Sequence, residues 1–254
     1  MCLCLPPWNP FHSYGRCLTL HLSLSGELYL YNNYDLNGRL PLEFFPVESL
    51  KTLDISSTLF EASFDDMVQR LPNLEFVSVQ RAHNIGGTIP PEISEVSSLE
   101  FVFFGGSEVT GTIPTEIGLL SSLVSLYAGQ TYIGGPIPSE MGLLSELTEL
   151  GLEATQVNST LPSELGNLKN LKYVNLQNTM ISGTLPVQLG MLSNLESIFI
   201  SGSMMTGTVD YSICEIPSLD RICVSIENQN VNDVSVGSSS SAVTCFCGED
   251  VCRC

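Results

Sequence analysis

The sequence is short of basic residues and has no long apolar run. It has 9 Lys and Arg residues against 27 Asp and Glu residues, which gives a formal net charge of −18. An acidic surface repels phosphate groups, so nucleic acids and anionic lipid headgroups are disfavoured as partners. No apolar segment approaches the roughly 20 residues that span a bilayer. We therefore expect no nucleic-acid partner and no membrane span in this chain.

The sequence also lacks the patterns of residues on which catalysis usually depends. It has three histidines, and it contains no His-Glu-x-x-His zinc motif, no phosphate-binding loop, no Gly-x-Ser-x-Gly turn and no kinase signature. The adjacent Asp65 and Asp66 could suggest a calcium site. Calcium takes many oxygen ligands, however, and a lone acidic pair is more often a solvated face or a helix start. We predict that the chain is not an enzyme and uses no cofactor or metal.

Leucine recurs at a fixed spacing through a long central stretch of the chain. The spacing is 24 residues (123 − 99 = 24, and so on), and the anchor positions are Leu99, Leu123, Leu147, Leu171, Leu195 and Leu219. A fixed period of this size indicates a solenoid. One coil cannot enclose its own apolar side chains, but stacked coils bury them as one continuous column.

Each unit divides into a strand, a turn and a return segment. The pattern Leu-x-x-Leu-x-Leu alternates with period two, as a strand with one buried face does. The return segment ends in proline, as in Val109-Thr110-Gly111-Thr112-Ile113-Pro114, so we expect it at a sheet edge or at the start of a tight helical turn. Four glycines are expected where a Cβ would be unwelcome: Gly118, Gly142, Gly166 and Gly190. A column of hydroxyls is expected to hydrogen-bond the buried turn backbone: Thr58, Ser107, Thr131, Thr155, Thr179 and Ser203.

These motifs resemble the plant-type leucine-rich repeat of receptor-kinase ectodomains and polygalacturonase-inhibiting proteins. The resemblance covers about Leu28 to Val224. It implies an α/β repeat solenoid, a right-handed superhelix with a parallel β-sheet on its concave face and short 3-10 or helical turns on its convex face. Plant-type repeats usually have asparagine where this chain has its hydroxyl column, and some protozoan surface antigens also favour threonine there. The lineage therefore stays open.

We predict three parts: a degraded N-terminal cap at 1–24, a solenoid of about eight coils and a closing strand at 25–226, and a Cys-rich C-terminal cap at 227–254. The first and third coils each carry one extra residue, which should bulge without moving the core. The first residues lack the basic leader and apolar region of a signal peptide, so we expect a trimmed or incomplete product of a longer precursor.

Three of the nine cysteines precede the repeats, and the other six lie from Cys214 onward. Disulfides are predicted for the six near the C-terminus, with fifteen possible pairings: Cys214, Cys223, Cys245, Cys247, Cys252 and Cys254. A zinc site is the competing interpretation, but the usual ligand spacing is absent. Disulfides indicate a secreted or cell-surface protein. In that setting Asn158, in the chain's single Asn-x-Ser/Thr sequence, is a predicted glycosylation site.

Aromatic side chains occupy outward positions of consecutive predicted strands. Adjacent strands lie about 4.8 Å apart, so Phe76, Phe101, Phe103 and Tyr127 should form a strip. The predicted ligand-binding residues are Phe76, Phe101, Phe103, Tyr127, Glu149, Tyr173 and Phe199. Glu149, Glu153 and Asp54 would form a negative rim suited to a basic partner. The alternatives are that aromatics simply suit strands, or that a terminal segment covers them.

We predict a non-enzymatic recognition module that binds a protein or another macromolecule on the concave sheet, and one form of this prediction is the ectodomain of a receptor-like protein. Two alternatives remain open. One is a free-standing secreted hydrolase inhibitor, and the other is a structural wall or adhesion protein that binds polysaccharide. The sequence does not indicate the oligomeric state.

Overall fold

The chain forms a stack of similar coils, each of which contributes one short strand to a parallel main sheet. The computed structural model describes residues 26–42, 48–207 and 209–219, together with the backbone of five short strands nearer the two ends. The main sheet has nine strands, in the same order as in the sequence. We number the first eight strands as coils 1 to 8, and the ninth is the closing strand. Their bounds are Glu27–Tyr29, Thr52–Asp54, Phe76–Ser78, Phe101–Phe103, Ser125–Tyr127, Glu149–Gly151, Tyr173–Asn175, Ser197–Phe199 and Arg221–Cys223.

The return segments form a second layer of parallel strands, which the sequence pattern did not predict. Five of these strands make one sheet: Thr110–Thr112, Tyr132–Pro136, Gln156–Thr160, Met180–Gly183 and Met204–Met205. A three-stranded group precedes it: Asn37–Arg39, Leu59–Ser63 and Ile85–Gly86. The repeated proline follows each strand instead of interrupting it. Pro114, for example, has extended backbone angles and is the N-cap of the next helical turn.

Short helical turns connect the return strands to the next coil, as predicted. Among the residues that the structure describes, five of these turns are 3-10 helices: Pro91–Glu95, Thr115–Leu119, Ser139–Leu143, Ser163–Asn167 and Val187–Met191. Phe64–Arg70 and Tyr211–Cys214 are α-helical. Asp65 and Asp66 lie in the first turn of the former helix, where acidic residues complement the helix dipole. The acidic pair is therefore the helix start that the sequence favoured over a calcium site.

One continuous hydrophobic core runs between the layers from Leu28 to Ile216. The two extra residues leave the main sheet in register, because Glu27 pairs with Thr52 and Phe76 with Phe101 across 25-residue spacings (52 − 27 = 25, 101 − 76 = 25). The α/β leucine-rich-repeat solenoid is thus confirmed. Its right-handed winding and the concave placement of the main sheet stay predictions.

The hydroxyl column has the structural role predicted for it. Each hydroxyl donates a hydrogen bond to the carbonyl oxygen three residues earlier, for example Thr155 Oγ1 to Leu152 O at 2.6 Å. The same bond is made by Thr58, Ser107, Thr131, Thr179 and Ser203. In coil 1 the amide of Asn33 makes it instead, to Leu30 O at 2.8 Å. The hydroxyl and the asparagine amide are therefore alternative donors to the same turn.

The four predicted glycines lie inside the 3-10 turns, and a Cβ on any of them would overlap the next coil. At Gly118, Gly142 and Gly166 the atom in the way is a backbone carbonyl oxygen, and at Gly190 it is the Ser212 hydroxyl. Close packing of neighbouring turns therefore selects glycine at these four positions.

The predicted caps at 1–24 and 227–254 lie largely outside the described residues. Within them, two antiparallel strand pairs are described by their backbone, Cys2–Cys4 with Cys17–Thr19 and Phe246–Gly248 with Val251–Arg253. In the part of the chain that the structure describes, no helix is long and apolar enough to cross a membrane.

Candidate functional site

Six aromatic rings form a continuous row on the outward face of the main sheet. This aromatic row consists of Phe76, Phe101, Phe103, Tyr127, Tyr173 and Phe199. Centroids of successive contacting rings are 5.4–6.5 Å apart, from Tyr173–Phe199 to Tyr127–Tyr173. All six side chains are half-buried. The predicted strip of four rings is therefore part of a longer row, which extends from coil 3 to coil 8.

The alternation of the strands places these rings outward. In coils 3 and 4 the central residues, Val77 and Val102, are at most 1% exposed and point into the core. Their neighbours Phe76, Phe101 and Phe103 lie on the opposite face, and their rings contact each other at 5.5–6.2 Å. Because the strands are parallel and in register, successive outward side chains stack across the sheet.

Polar side chains near the two ends of the row are hydrogen-bonded to each other. On coils 2 and 3, the hydroxyls of Ser56 and Ser78 are 2.7 Å apart. On coils 7 and 8, Gln177 Nε2 donates to Ser201 Oγ at 2.6 Å. These hydrogen bonds give the polar groups partners within the protein.

The row crosses coil 6, whose strand carries no ring, because Tyr127 leans over Gly151. A Cβ built on Gly151 would lie 2.5 Å from Cδ1 of Tyr127, so the ring lies against the glycine backbone. Tyr127 consequently contacts Tyr173 of coil 7, with ring centroids 6.5 Å apart and an interplanar angle of 34°. The strand alternation gives Gly151 an outward position and carries no sign of this role.

Two carboxylates lie beside Tyr127. Glu149 accepts a hydrogen bond from Ser125 Oγ at 2.8 Å. Glu153 lies over the backbone of Gly129, where a Cβ would overlap its carboxylate. Its Oε2 is buried and has no hydrogen-bond partner among the described residues. Burial raises the pKa of the Tyr127 hydroxyl well above its usual range, and Glu149, Tyr173 and Glu153 raise it further.

The third acid of the predicted negative rim lies elsewhere. Asp54 is on coil 2, where its Oδ1 accepts a hydrogen bond from the Ser56 backbone N–H at 3.0 Å. Glu149 and Glu153 are on coil 6, next to Tyr127. The three carboxylates predicted to form one negative rim are therefore separated, and two of them lie beside the middle of the aromatic row.

The predicted modification sites fall partly within the described residues. Asn158 is exposed in the middle strand of the five-stranded sheet, away from the aromatic row. Cys214 is half-buried and packs against the core. The side chains of Cys223, Cys245, Cys247, Cys252 and Cys254 lie outside the described residues, so the disulfides stay a prediction. Among the described residues, no group of three or more His, Cys, Asp and Glu side chains could hold a metal ion.

No protein-family model matches this chain, and no curated protein matches it. Several solved structures do match this chain. The plant peptide hormone receptor RGFR1, in complex with RGF2, is 27% identical, with a TM-score of 0.72 over 78% of this chain and 32% of its own. The leucine-rich-repeat ectodomain of the Arabidopsis receptor kinase HAESA, in complex with an IDA peptide hormone, is 29% identical, with a TM-score of 0.70 over 77% and 33%. A leucine-rich-repeat protein of Leptospira interrogans is 26% identical, with a TM-score of 0.62 over 78% and 48%.

These likenesses agree with the repeat geometry described above. The chain is a leucine-rich-repeat solenoid, and plant receptor-kinase ectodomains are among its structural neighbours, as the sequence motifs indicated. It spans about a third of the length of the plant receptors. Two of these neighbours were solved with peptide hormones bound.

Proposed function

We propose that this chain is a non-enzymatic recognition module of a secreted or cell-surface protein, which binds a protein or peptide ligand on the outward face of its main sheet. The observation that carries the proposal is the aromatic row. Six half-buried rings in continuous contact, on a sheet face that the core does not use, are a large apolar surface.

Ring chemistry supports a binding role for this surface. Aromatic side chains bury a large area at a low cost in conformational entropy, and they dominate the energetic centres of protein interfaces. Neighbouring rings that already contact each other are pre-organised. Less side-chain conformational entropy is therefore lost when a ligand binds to them. The main sheet therefore presents a rigid platform across six coils.

The structural neighbours support a ligand-binding module of the receptor-like kind. RGFR1 and HAESA are each described with a peptide hormone bound, at 27% and 29% identity to this chain. A binding role without catalysis and a location outside the cell are both parts of this proposal. Exposed Asn158 suits the same setting, because a glycan there would extend from the sheet of return strands and leave the aromatic row accessible.

A peptide-display selection tests the proposed function. A library of random 12-residue peptides would be selected on the protein, and each selected peptide would then be titrated against the double variant Phe101→Ala, Phe103→Ala. We expect at least a tenfold loss of affinity, as truncation of central aromatic anchors usually causes. The matched control is Leu119→Ala, Leu143→Ala, which removes two exposed apolar side chains from the 3-10 turns.

Melting curves separate loss of binding from loss of fold. The aromatic variant loses four ring contacts, so its melting temperature should fall by several degrees, while its unfolding stays cooperative and well above the temperature of the titration. The control pair should keep wild-type affinity. Selected peptides that bind the Phe101→Ala, Phe103→Ala variant as tightly as the wild type would overturn the proposal.

Location is tested separately by secretion from a eukaryotic host. Intact mass, with and without removal of N-linked glycans, and a thiol count should show one glycan that Asn158→Gln abolishes, with the six C-terminal cysteines oxidised. A secreted protein with neither sugar nor disulfides would contradict the extracellular part of the proposal and leave the binding surface standing.

A further inference from the structure

The middle of the aromatic row differs chemically from its two ends. At each end of the row, the aromatic rings of neighbouring strands contact each other directly. Between Tyr127 and Tyr173, coil 6 contributes no ring and instead brings two carboxylates, Glu149 and Glu153, next to Tyr127. The row therefore has one point at which aromatic surface and negative charge meet.

The two carboxylates are not neutralised by an ion pair within the described residues. The salt bridges described on the main-sheet side join Lys51 to Glu75 at 2.6 Å and Lys172 to Glu196 at 3.6 Å. Lys172 is thus directed toward coil 8 and away from coil 6. Glu149 accepts a hydrogen bond from Ser125, whose hydroxyl is neutral.

Glu153 adds an unmet hydrogen-bonding demand. Its Oε2 is buried without a donor among the described residues, and a buried acceptor without a donor is costly. Its carboxylate is held against the backbone of Gly129, where any larger residue would displace it. Oε2 itself is enclosed, but the Glu153 side chain as a whole is half-buried, so its negative charge attracts a cationic ligand group at the surface.

The electrostatic field at the Tyr127 hydroxyl also favours a cationic ligand group. Burial raises the pKa of that hydroxyl most, and both carboxylates raise it further, because their field opposes a negative charge there. The same field favours a positive charge at the same place. An aromatic face attracts a cation through its quadrupole, and a planar guanidinium can stack on a ring and donate to a carboxylate together.

We propose that Tyr127, Tyr173, Glu149 and Glu153 form a subsite that holds a cationic side chain of the bound peptide, with arginine preferred over lysine. This inference rests on the proposed function, because the cation is one residue of a segment that lies along the aromatic row. The partner is therefore a peptide or protein segment with apolar side chains around a basic one.

The test compares arginine with citrulline, which has nearly the same shape and no charge. Peptides would be selected from the random 12-residue library on the wild-type protein, and those that lose affinity for the Phe101→Ala, Phe103→Ala variant would be resynthesised with each arginine replaced by citrulline. We expect the row-dependent peptides to carry arginine, and one replacement to weaken binding about tenfold or more. This comparison uses the wild-type protein and is independent of any variant's folding.

Variants of the protein then locate the cation. On Glu153→Gln the preference for arginine over citrulline should fall several-fold, because only Glu149 is left to hold the charge, and the double-mutant cycle measures the share of the Glu153 carboxylate. Glu116→Gln, an equal charge change at a half-buried residue of a 3-10 turn, should leave the wild-type preference for arginine. Row-dependent peptides without a basic residue, or equal binding of the arginine and citrulline forms, would overturn the subsite and leave the proposed function intact. If the selected peptides bind the Phe101→Ala, Phe103→Ala variant as tightly as the wild type, the proposed function itself is overturned.

Discussion

The ring of Tyr127 lies against the backbone of Gly151 on the next strand, so close that a Cβ on Gly151 would be 2.5 Å from Cδ1 of the ring. This contact lets Tyr127 reach Tyr173 across a strand that has no ring of its own. The continuity of the aromatic row from coil 3 to coil 8 therefore depends on one missing methyl group.

Gly151→Ala should divide the row into two shorter ones. The new methyl group displaces the Tyr127 ring and removes its contact with Tyr173, so the ring must be ordered again when the ligand binds, at a cost of about 0.5–1.5 kcal/mol. Affinity for the selected row-dependent peptides should fall about 2- to 10-fold, measured by calorimetric titration. Gly142→Ala is the control, in which we expect a change in stability and no change in affinity. Its Cβ overlaps the Glu164 carbonyl oxygen of the next coil, so it should lower the melting temperature and leave affinity unchanged. Wild-type affinity in Gly151→Ala would contradict the continuity of the row.

Thr155→Val should destabilise the solenoid without affecting its surface. The substitution keeps the shape of the side chain but removes the buried hydrogen bond to Leu152 O, at a cost of about 1–3 kcal/mol. Equilibrium unfolding in urea measures the loss. Thr155→Ser keeps the hydroxyl and should lose clearly less stability than Thr155→Val. Equal stability of the two variants would show that the hydroxyl column does not hold the turns together.

Ser159→Gly should stabilise the protein. Ser159 has φ of +74° at a position where neighbouring coils have Gly111, Gly135 and Gly183 at +74° to +82°. A left-handed conformation costs a residue with a Cβ about 1–2 kcal/mol, part of which is offset by the greater unfolded-state freedom of glycine. We expect a gain of about 0.5–1 kcal/mol by urea unfolding. Asn158 and Thr160 still flank the new glycine, so glycosylation should persist. The reverse change, Gly183→Ser, should lower stability, and a neutral Ser159→Gly would contradict the strain.

Asp210→Ala should lower the melting temperature in a pH-dependent way. The pKa of Asp210 is held below its ordinary value of 3.8 by the Ser212 hydroxyl, which donates to Oδ1 at 2.6 Å, and by the Ser212 backbone N–H at 2.9 Å. A carboxyl whose folded-state pKa is lowered stabilises the fold above its unfolded-state pKa, and this stabilisation is lost as the pH falls through the folded-state pKa. The deficit of Asp210→Ala should therefore be full at pH 7 and shrink as the pH falls below 3.8.

Asp210→Asn is the control for that prediction. Asparagine can still cap the short helix Tyr211–Cys214, but it does not titrate. The difference in melting temperature between Asp210→Asn and Asp210→Ala should persist at low pH. A constant gap between wild type and Asp210→Ala from pH 7 to pH 2 would show that the Asp210 charge contributes nothing.

The coils and the core were predictable because they depend on repeated local patterns. The 24-residue spacing and the alternation around residues such as Val102 and Leu126 fix which side chains are buried, and the structure buries both completely. The second sheet was not predictable from the proline rule. Proline excludes a central strand only where it would interrupt hydrogen bonding, and Pro114 comes two residues after the strand Thr110–Thr112 has ended.

The site was predictable as a set of outward positions and not as a set of contacts. Phe76, Phe101 and Phe103 are neighbours by strand order alone, so the pattern placed them together. The contact between Tyr127 and Tyr173 depends on how far one ring leans over a residue without a Cβ. A periodic pattern assigns a residue to a face and carries no information on that lean, so Gly151 looked like a gap in the row.

The most direct test of the account is to locate the bound peptide by photo-crosslinking. Benzoylphenylalanine would replace Phe103 on the main sheet or, in a second protein, the exposed Tyr132 on the sheet of return strands. Each protein would be irradiated with a selected row-dependent peptide and analysed by mass spectrometry. The account predicts a covalent adduct from position 103 and none from position 132. An adduct from position 132 and none from position 103 would contradict it, because the ligand would then lie on the opposite layer of the solenoid.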